Sequence, residues 1–258
     1  MTNIFYKLIL TSFFIFLLFS GCTSTPKQDT AFFIEQGLLA DKQQNYEEAA
    51  QWYEKAAVLG NPKAQNWLGT LYTQGLGVPK DYEKAFYWYK KSAEQDWAAG
   101  ECNLAAAYSL GEGVEADNEK ARFWFEKAAE KGDAFAQFNL GIMYDNGNGV
   151  EQNYKTAFDW YKKSAEQGFA EAQYNLAQMY RMGEGTAKDF AKAALWYEKA
   201  GEQGHSQAQF NLGMMYFEGR GIPQSYSFAK VWFERAAEQG DEKARSMLDD
   251  ENLKGHTP

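Results

Sequence analysis

The sequence predicts an all-α protein made of stacked helical hairpins, and three observations carry that prediction. One small residue recurs every 36 positions, at Ala64, Gly100, Ala136, Ala172, Ala208 and Ala244, with Leu68, Leu104, Leu140, Leu176, Leu212 and Leu248 each four residues later. A ladder that regular marks copies of one supersecondary unit, each burying its apolar face against its neighbours. Within a copy, apolar residues fall at helical spacing, at 64, 68, 71 and 72 and again at 82, 85, 86, 89 and 93. Between the two runs stands a Gly-x-Gly break, at 75/77, 111/113, 147/149, 183/185 and 219/221, and no alternating β-branched stretch competes.

In chain order, the first element is a targeting segment. Lys7 precedes Leu8 to Phe19, twelve almost wholly apolar residues, too short to span a bilayer and right for the centre of a secretion signal. Phe19-Ser20-Gly21-Cys22 then resembles the lipobox of bacterial lipoproteins, in which the cysteine is diacylated and becomes the mature N-terminus. Phe19 stands where leucine is usual. Thr23 follows the cysteine, so the aspartate that resembles an inner-membrane retention signal in enteric bacteria is absent. The resemblance implies a signal peptide over 1–21, a lipid on Cys22 and a tether over 22–30, on an outer-membrane lipoprotein of the cell envelope facing the periplasm. An ordinary signal peptide with a coincidental cysteine is the alternative.

Residues 31–60 form the first hairpin, from Phe32 to Ala57, with Gly37, Tyr46, Ala49, Trp52 and Ala57. It lacks four loop residues that later copies carry. Five full units follow at 61–96, 97–132, 133–168, 169–204 and 205–240, then a partial helix over 241–248. Each second helix opens on Asn45, Asp81, Asp117, Asn153, Asp189 or Ser225, side chains that accept from orphan N–H groups of a first turn. Only Asn45 is followed by a capping-box acid, Glu48. Glycine closes most second helices, at 60, 132, 168, 204 and 240, where a left-handed residue is needed; Asp96 is the exception. Small alanines at 85 and 93 let helices approach, and the tryptophans at 88, 124, 160, 196 and 232 are expected to fill the gaps between hairpins. The polar tail 249–258 is expected to fray.

The pattern A-x3-L-G-x2-Y-x2-G-x-G-V-x3-D-x3-A-x2-W-Y-x-K-A-A-x-x-G, almost whole in Ala64 to Asp96 and in Ala136 to Gly168, resembles the Sel1-like repeat, a relative of the tetratricopeptide repeat. The resemblance implies a right-handed α-solenoid over 61–248, with 31–60 as a capping hairpin closer to a tetratricopeptide repeat.

Charge and chemistry narrow the function. With 26 Lys and Arg against 35 Asp and Glu, the chain lacks the basic stripe that nucleic acid requires. If Cys22 carries lipid, Cys102 is alone and no disulfide holds the fold. Cys102 is read as a small side chain tolerated on a helix in preference to a reactive thiol. The two histidines, His205 between hairpins and His256 in the tail, have no sequence partner suggesting a triad or metal site, and no cofactor is expected. The glycine breaks lack a P-loop lysine and join two helices, so turn chemistry accounts for them. Some secreted Sel1-like proteins are β-lactamases whose repeats each carry a disulfide pair; this chain has no such pairs, and a hydrolase stands as the alternative class.

Binding is the favoured class. Positions 64, 68 and 72 point into the core, which puts position 66 and its equivalents on the free side of the first helices. That series reads Asn66, Cys102, Phe138, Tyr174 and Phe210, and beside it run Trp67, Asn103, Asn139, Asn175 and Asn211. Asparagine is poor inside a helix, so its repetition wants a cause. It either ties adjacent units together or hydrogen-bonds an extended chain. The three aromatics form an apolar binding strip or pack on the adjacent hairpin. Related arrays use this side as a concave groove, and the resemblance implies a protein or peptide partner held by Asn103, Asn139, Asn175, Asn211, Phe138, Tyr174 and Phe210.

Overall fold

The computed structural model describes residues 26–253, and every regular element among them is an α-helix. The predicted signal segment, Cys22 and His256 lie outside the described residues. The chain divides into two compact units, one ending at Asp81 and one beginning at Tyr82.

The first unit holds α1 (Pro26–Lys42), α2 (Tyr46–Val58) and α3 (Pro62–Gln74), packed in succession. Helix α1 starts five residues before the expected hairpin, with proline in its first position and Asp29 in its first turn, both favourable where N–H groups lack partners. Asn45 caps α2: its Oδ1 accepts from the Glu48 amide at 3.5 Å, while its Nδ2 donates to the Glu48 carboxylate at 2.8 Å. At Gly37 the backbone of α1 lies directly on the Tyr53 ring, where a Cβ would collide.

The second unit continues with α4 (Tyr82–Ala93), α5 (Ala98–Leu110), α6 (Asn118–Glu130), α7 (Ala134–Asn146), α8 (Tyr154–Glu166), α9 (Ala170–Met182), α10 (Phe190–Glu202), α11 (Ser206–Glu218), α12 (Tyr226–Glu238) and α13 (Glu242–Met247). Each helix packs on the next, so the hairpins stack as the predicted α-solenoid. Asp117, Asn153, Asp189 and Ser225 cap α6, α8, α10 and α12 by accepting the third amide of each first turn, as expected. Asp96 takes the left-handed conformation that glycine takes elsewhere, with φ 58°.

The second glycine of each break has a further cause. At Gly113 and Gly185, with φ 73° and 67°, a Cβ would strike the backbone of Tyr82 and Tyr154, the first residues of the preceding second helices. The loop of one hairpin therefore rests on the helix start of the one before it.

The core corrects one expectation by a single position. Phe125, Tyr161, Tyr197 and Phe233 are the fully buried rings, each one residue after the tryptophan series. Trp124, Trp160 and Trp196 are half-buried. Cations cover their outer faces, with Lys163 Nζ 3.8 Å from the Trp160 ring centre and Lys199 Nζ 4.1 Å from that of Trp196. In these hairpins the next residue goes in and the indole lies across the seam; Trp232 is the exception, buried together with Phe233. Trp160 packs against a cluster that joins Phe125 of the hairpin before to Ala136 and Leu140 of its own.

A buried glutamine ladder ties neighbouring hairpins. Gln137, Gln173 and Gln209 donate to the carbonyls of Ala129, Ala165 and Gly201 at 3.1, 3.2 and 2.8 Å, satisfying helix ends that would otherwise be orphaned. Their Oε1 atoms accept from Gln167, Gln203 and Gln239 at 2.8, 2.8 and 2.7 Å. In the first rung of this unit the pair becomes Glu101 and Lys131, 2.6 Å apart. Beyond Leu248 the expected fraying does not occur through 253: Leu253 is buried with Ala229, Phe233, Ala236 and Ala244.

Candidate partner-binding groove

The first helices of the second unit's hairpins, α5, α7, α9 and α11, differ in kind from the second helices. In their 52 residues only Glu101, Asp145, Glu171, Arg181 and Glu218 carry charge, and Glu101 is buried. Helices α6, α8, α10 and α12 carry nineteen charges in the same length. A helix that is apolar or neutral all round belongs in an interior, yet these four keep one side open.

That open side holds most of the predicted series. Phe138, Tyr174 and Phe210 are half-buried. Each tilts against the core ring of its own hairpin, with centroids 6.0 Å from Tyr161, 5.9 Å from Tyr197 and 5.7 Å from Phe233. Cys102, in the same register, is buried, and its position contributes nothing to the surface. Burial and the neighbouring Asp133 carboxylate push its thiol pKa well up, so the thiolate that reactivity needs is disfavoured.

The asparagines do structural work in part. Asn139 Nδ2 donates back to the Phe135 carbonyl at 2.8 Å. Asn103, Asn175 and Asn211 are half-buried on the same face.

Tyr174 is held by a network that periodicity does not reveal. Its hydroxyl accepts from Gln178 Nε2 at 2.9 Å, and Gln178 Oε1 accepts from Arg181 at 2.8 Å and from the Tyr197 hydroxyl. The other side of the Tyr174 ring stacks on His205, centroids 4.5 Å apart and 15° from parallel. His205 Nδ1 accepts from the Ala208 amide at 3.3 Å and so caps α11. Burial lowers the His205 pKa, opposed by the Glu171 carboxylate.

Tyr174, Phe210 and Asn211 converge at a pocket of about 380 Å³, closed by Gln207 and by the start of α13. Two rings offer apolar contact and two amides offer donors and acceptors. Asp241 is occupied in capping α13, and Glu242 pairs with Arg245, so Lys243 is the cation this pocket presents. Among the described residues no group of three His, Cys, Asp or Glu side chains is placed to hold a metal.

A family model of the Sel1 repeat matches residues 31–61, 62–97, 98–133, 134–169, 170–205 and 206–241. The chain belongs to the Sel1 repeat family, a fold commonly used as a protein-interaction scaffold. The model takes in the shorter first hairpin as well as the five full ones. The chain is similar to a protective antigen of uropathogenic Escherichia coli strains, at 34% identity and TM-score 0.78, over 88% of this chain and 51% of that one. It therefore spans about half the length of that antigen. It is also similar to a Sel1 repeat protein of Oxalobacter formigenes, at 35% identity and TM-score 0.76, over 84% and 86% of the two chains. No curated protein matches it.

Proposed function

We propose that this chain is a lipid-anchored scaffold of the cell envelope, facing the periplasm, that binds an extended and weakly charged segment of a protein partner along α5, α7, α9 and α11. The observation that carries this reading is the segregation of charge: second helices are built for water, and first helices expose aromatic rings that water solvates poorly, beside uncharged amides. Phe138, Tyr174 and Phe210 recur at one spacing along the strip, as a ligand lying along successive repeats requires. Cys22, after its apolar run, supports the anchor and the compartment.

The test is a photo-crosslinking amino acid placed at Gln207 beside the pocket, and separately at Lys162 on α8, in cells carrying the full chain. Gln207 should capture one partner reproducibly, Lys162 should not, and Tyr174→Ala with Phe210→Ala should abolish the capture. Equal capture from both positions would remove the groove from consideration. Turnover of nitrocefin by the purified protein would instead favour a hydrolase.

A further inference from the structure

We infer that the outward face of α1 rests on the surface of a phospholipid bilayer; this deepens the anchor reading above and rests on it. A terminal repeat in a stacked array needs a polar outer face, because nothing packs on it. At the far end of the chain Leu253 is tucked into the core, and the residues around it are polar. Helix α1 does the opposite. Gly37 and Ala40 face inward, while Phe32, Leu38 and Leu39 are exposed, at 50%, 43% and 50%. Exposed Ala31 extends the stripe, and Glu35 is the one charge within it.

The apolar surface continues onto the end of α2. Val58 and Leu59 are exposed, and Leu59 shares with Ala31 and Ile34 an open pocket of about 520 Å³ beside the N-terminal half of α1.

The position of Cys22 selects the occupant. Only three residues separate it from Pro26, so however residues 23–25 are arranged, α1 begins within about 14 Å of a lipid carried on Cys22. Phe32 lies about 9 Å further along the helix and Leu39 about 10 Å beyond that. The whole stripe is thus within reach of the membrane that holds the chain. A second copy is a poorer occupant: the stripe offers on the order of 300 Å², against roughly 800 Å² per partner in a stable interface. Helix α1 carries Asp29, Glu35 and Asp41 against Lys27 and Lys42, a balance that does not favour anionic headgroups. Apolar insertion at the headgroup boundary is the contact this chemistry makes.

The experiment uses the full chain, extracted from membranes, with a solvatochromic dye attached at Leu38→Cys; buried Cys102 stays unlabelled. Mass spectrometry of the N-terminal peptide reports the lipid on Cys22 first. The protein is then reconstituted into phosphatidylcholine vesicles with and without brominated chains. The expected result is a blue-shifted emission, most of it lost to brominated lipid, unchanged by added salt or by phosphatidylglycerol. Phe32→Ser with Leu39→Ser, both at exposed positions, should return the dye to an aqueous spectrum with helicity unchanged. Lipid on Cys22 with an aqueous dye spectrum would overturn this inference and leave the anchor standing. So would a dye that stays quenched in the double variant, since nearness to the tether would then suffice. No lipid on Cys22 would overturn both.

Discussion

Truncating two neighbouring rings on α8 separates the core from the seam. Tyr161 is 1% exposed, backed by Gly141 of α7, whose backbone sits so close that no side chain fits there. Its hydroxyl donates to Asp145 at 3.3 Å. Tyr161→Ala leaves a cavity bounded by helix backbone and strands the Asp145 carboxylate, so it should cost about 4 kcal/mol or more. Trp160→Ala removes a larger ring, but one half in water, and should cost about 2 kcal/mol. With a urea slope of about 3 kcal/mol/M, the first change lowers the midpoint by more than about 1 M and the second by roughly half as much. Urea melts followed by circular dichroism measure both. A Trp160→Ala variant as damaged as Tyr161→Ala would refute the one-residue offset of the core.

Three further outcomes follow from the same geometry. Gly185→Ala should cost well over about 1–2 kcal/mol, because it adds a collision with Tyr154 to the left-handed penalty; Gly168→Ala, with open space around it, should show the penalty alone, and thermal melts compare them. His205 titrates lower in the fold than when unfolded, so the unfolded state binds the proton first; stability should be level above about pH 6.5, fall as pH drops below it, and lose that slope in His205→Asn. Lys131→Ala should cost about 2–3 kcal/mol by leaving buried Glu101 uncompensated, whereas Glu101→Gln with Lys131→Gln restores the neutral rung and should be neutral or stabilising in urea melts.

Much of the fold is written in local chemistry. Caps at 117, 153, 189 and 225 and paired glycines at each break announce themselves, because each residue type suits one backbone position. The offset between Trp160 and Tyr161 is hidden, since two adjacent apolar residues satisfy one helical period equally well. A clue was present in the lysine three positions after the half-buried tryptophans, as in Lys163 and Lys199. The glutamine ladder repeats every 36 residues in plain view, but glutamine reads as surface until a partner 30 residues on is seen to meet it. Of the groove, the Phe138, Tyr174 and Phe210 register was legible. The burial of Cys102 depends on which neighbours the stacking supplies, and Asn139 spends its amide on the Phe135 carbonyl of its own helix.

The most direct measurement is hydrogen exchange on the full chain with and without the partner captured through Gln207. Slowed exchange concentrated in α7, α9 and α11 is the expected result. Slowed exchange confined to α8, α10 and α12, with the first helices unchanged, would contradict a groove built from uncharged helix faces.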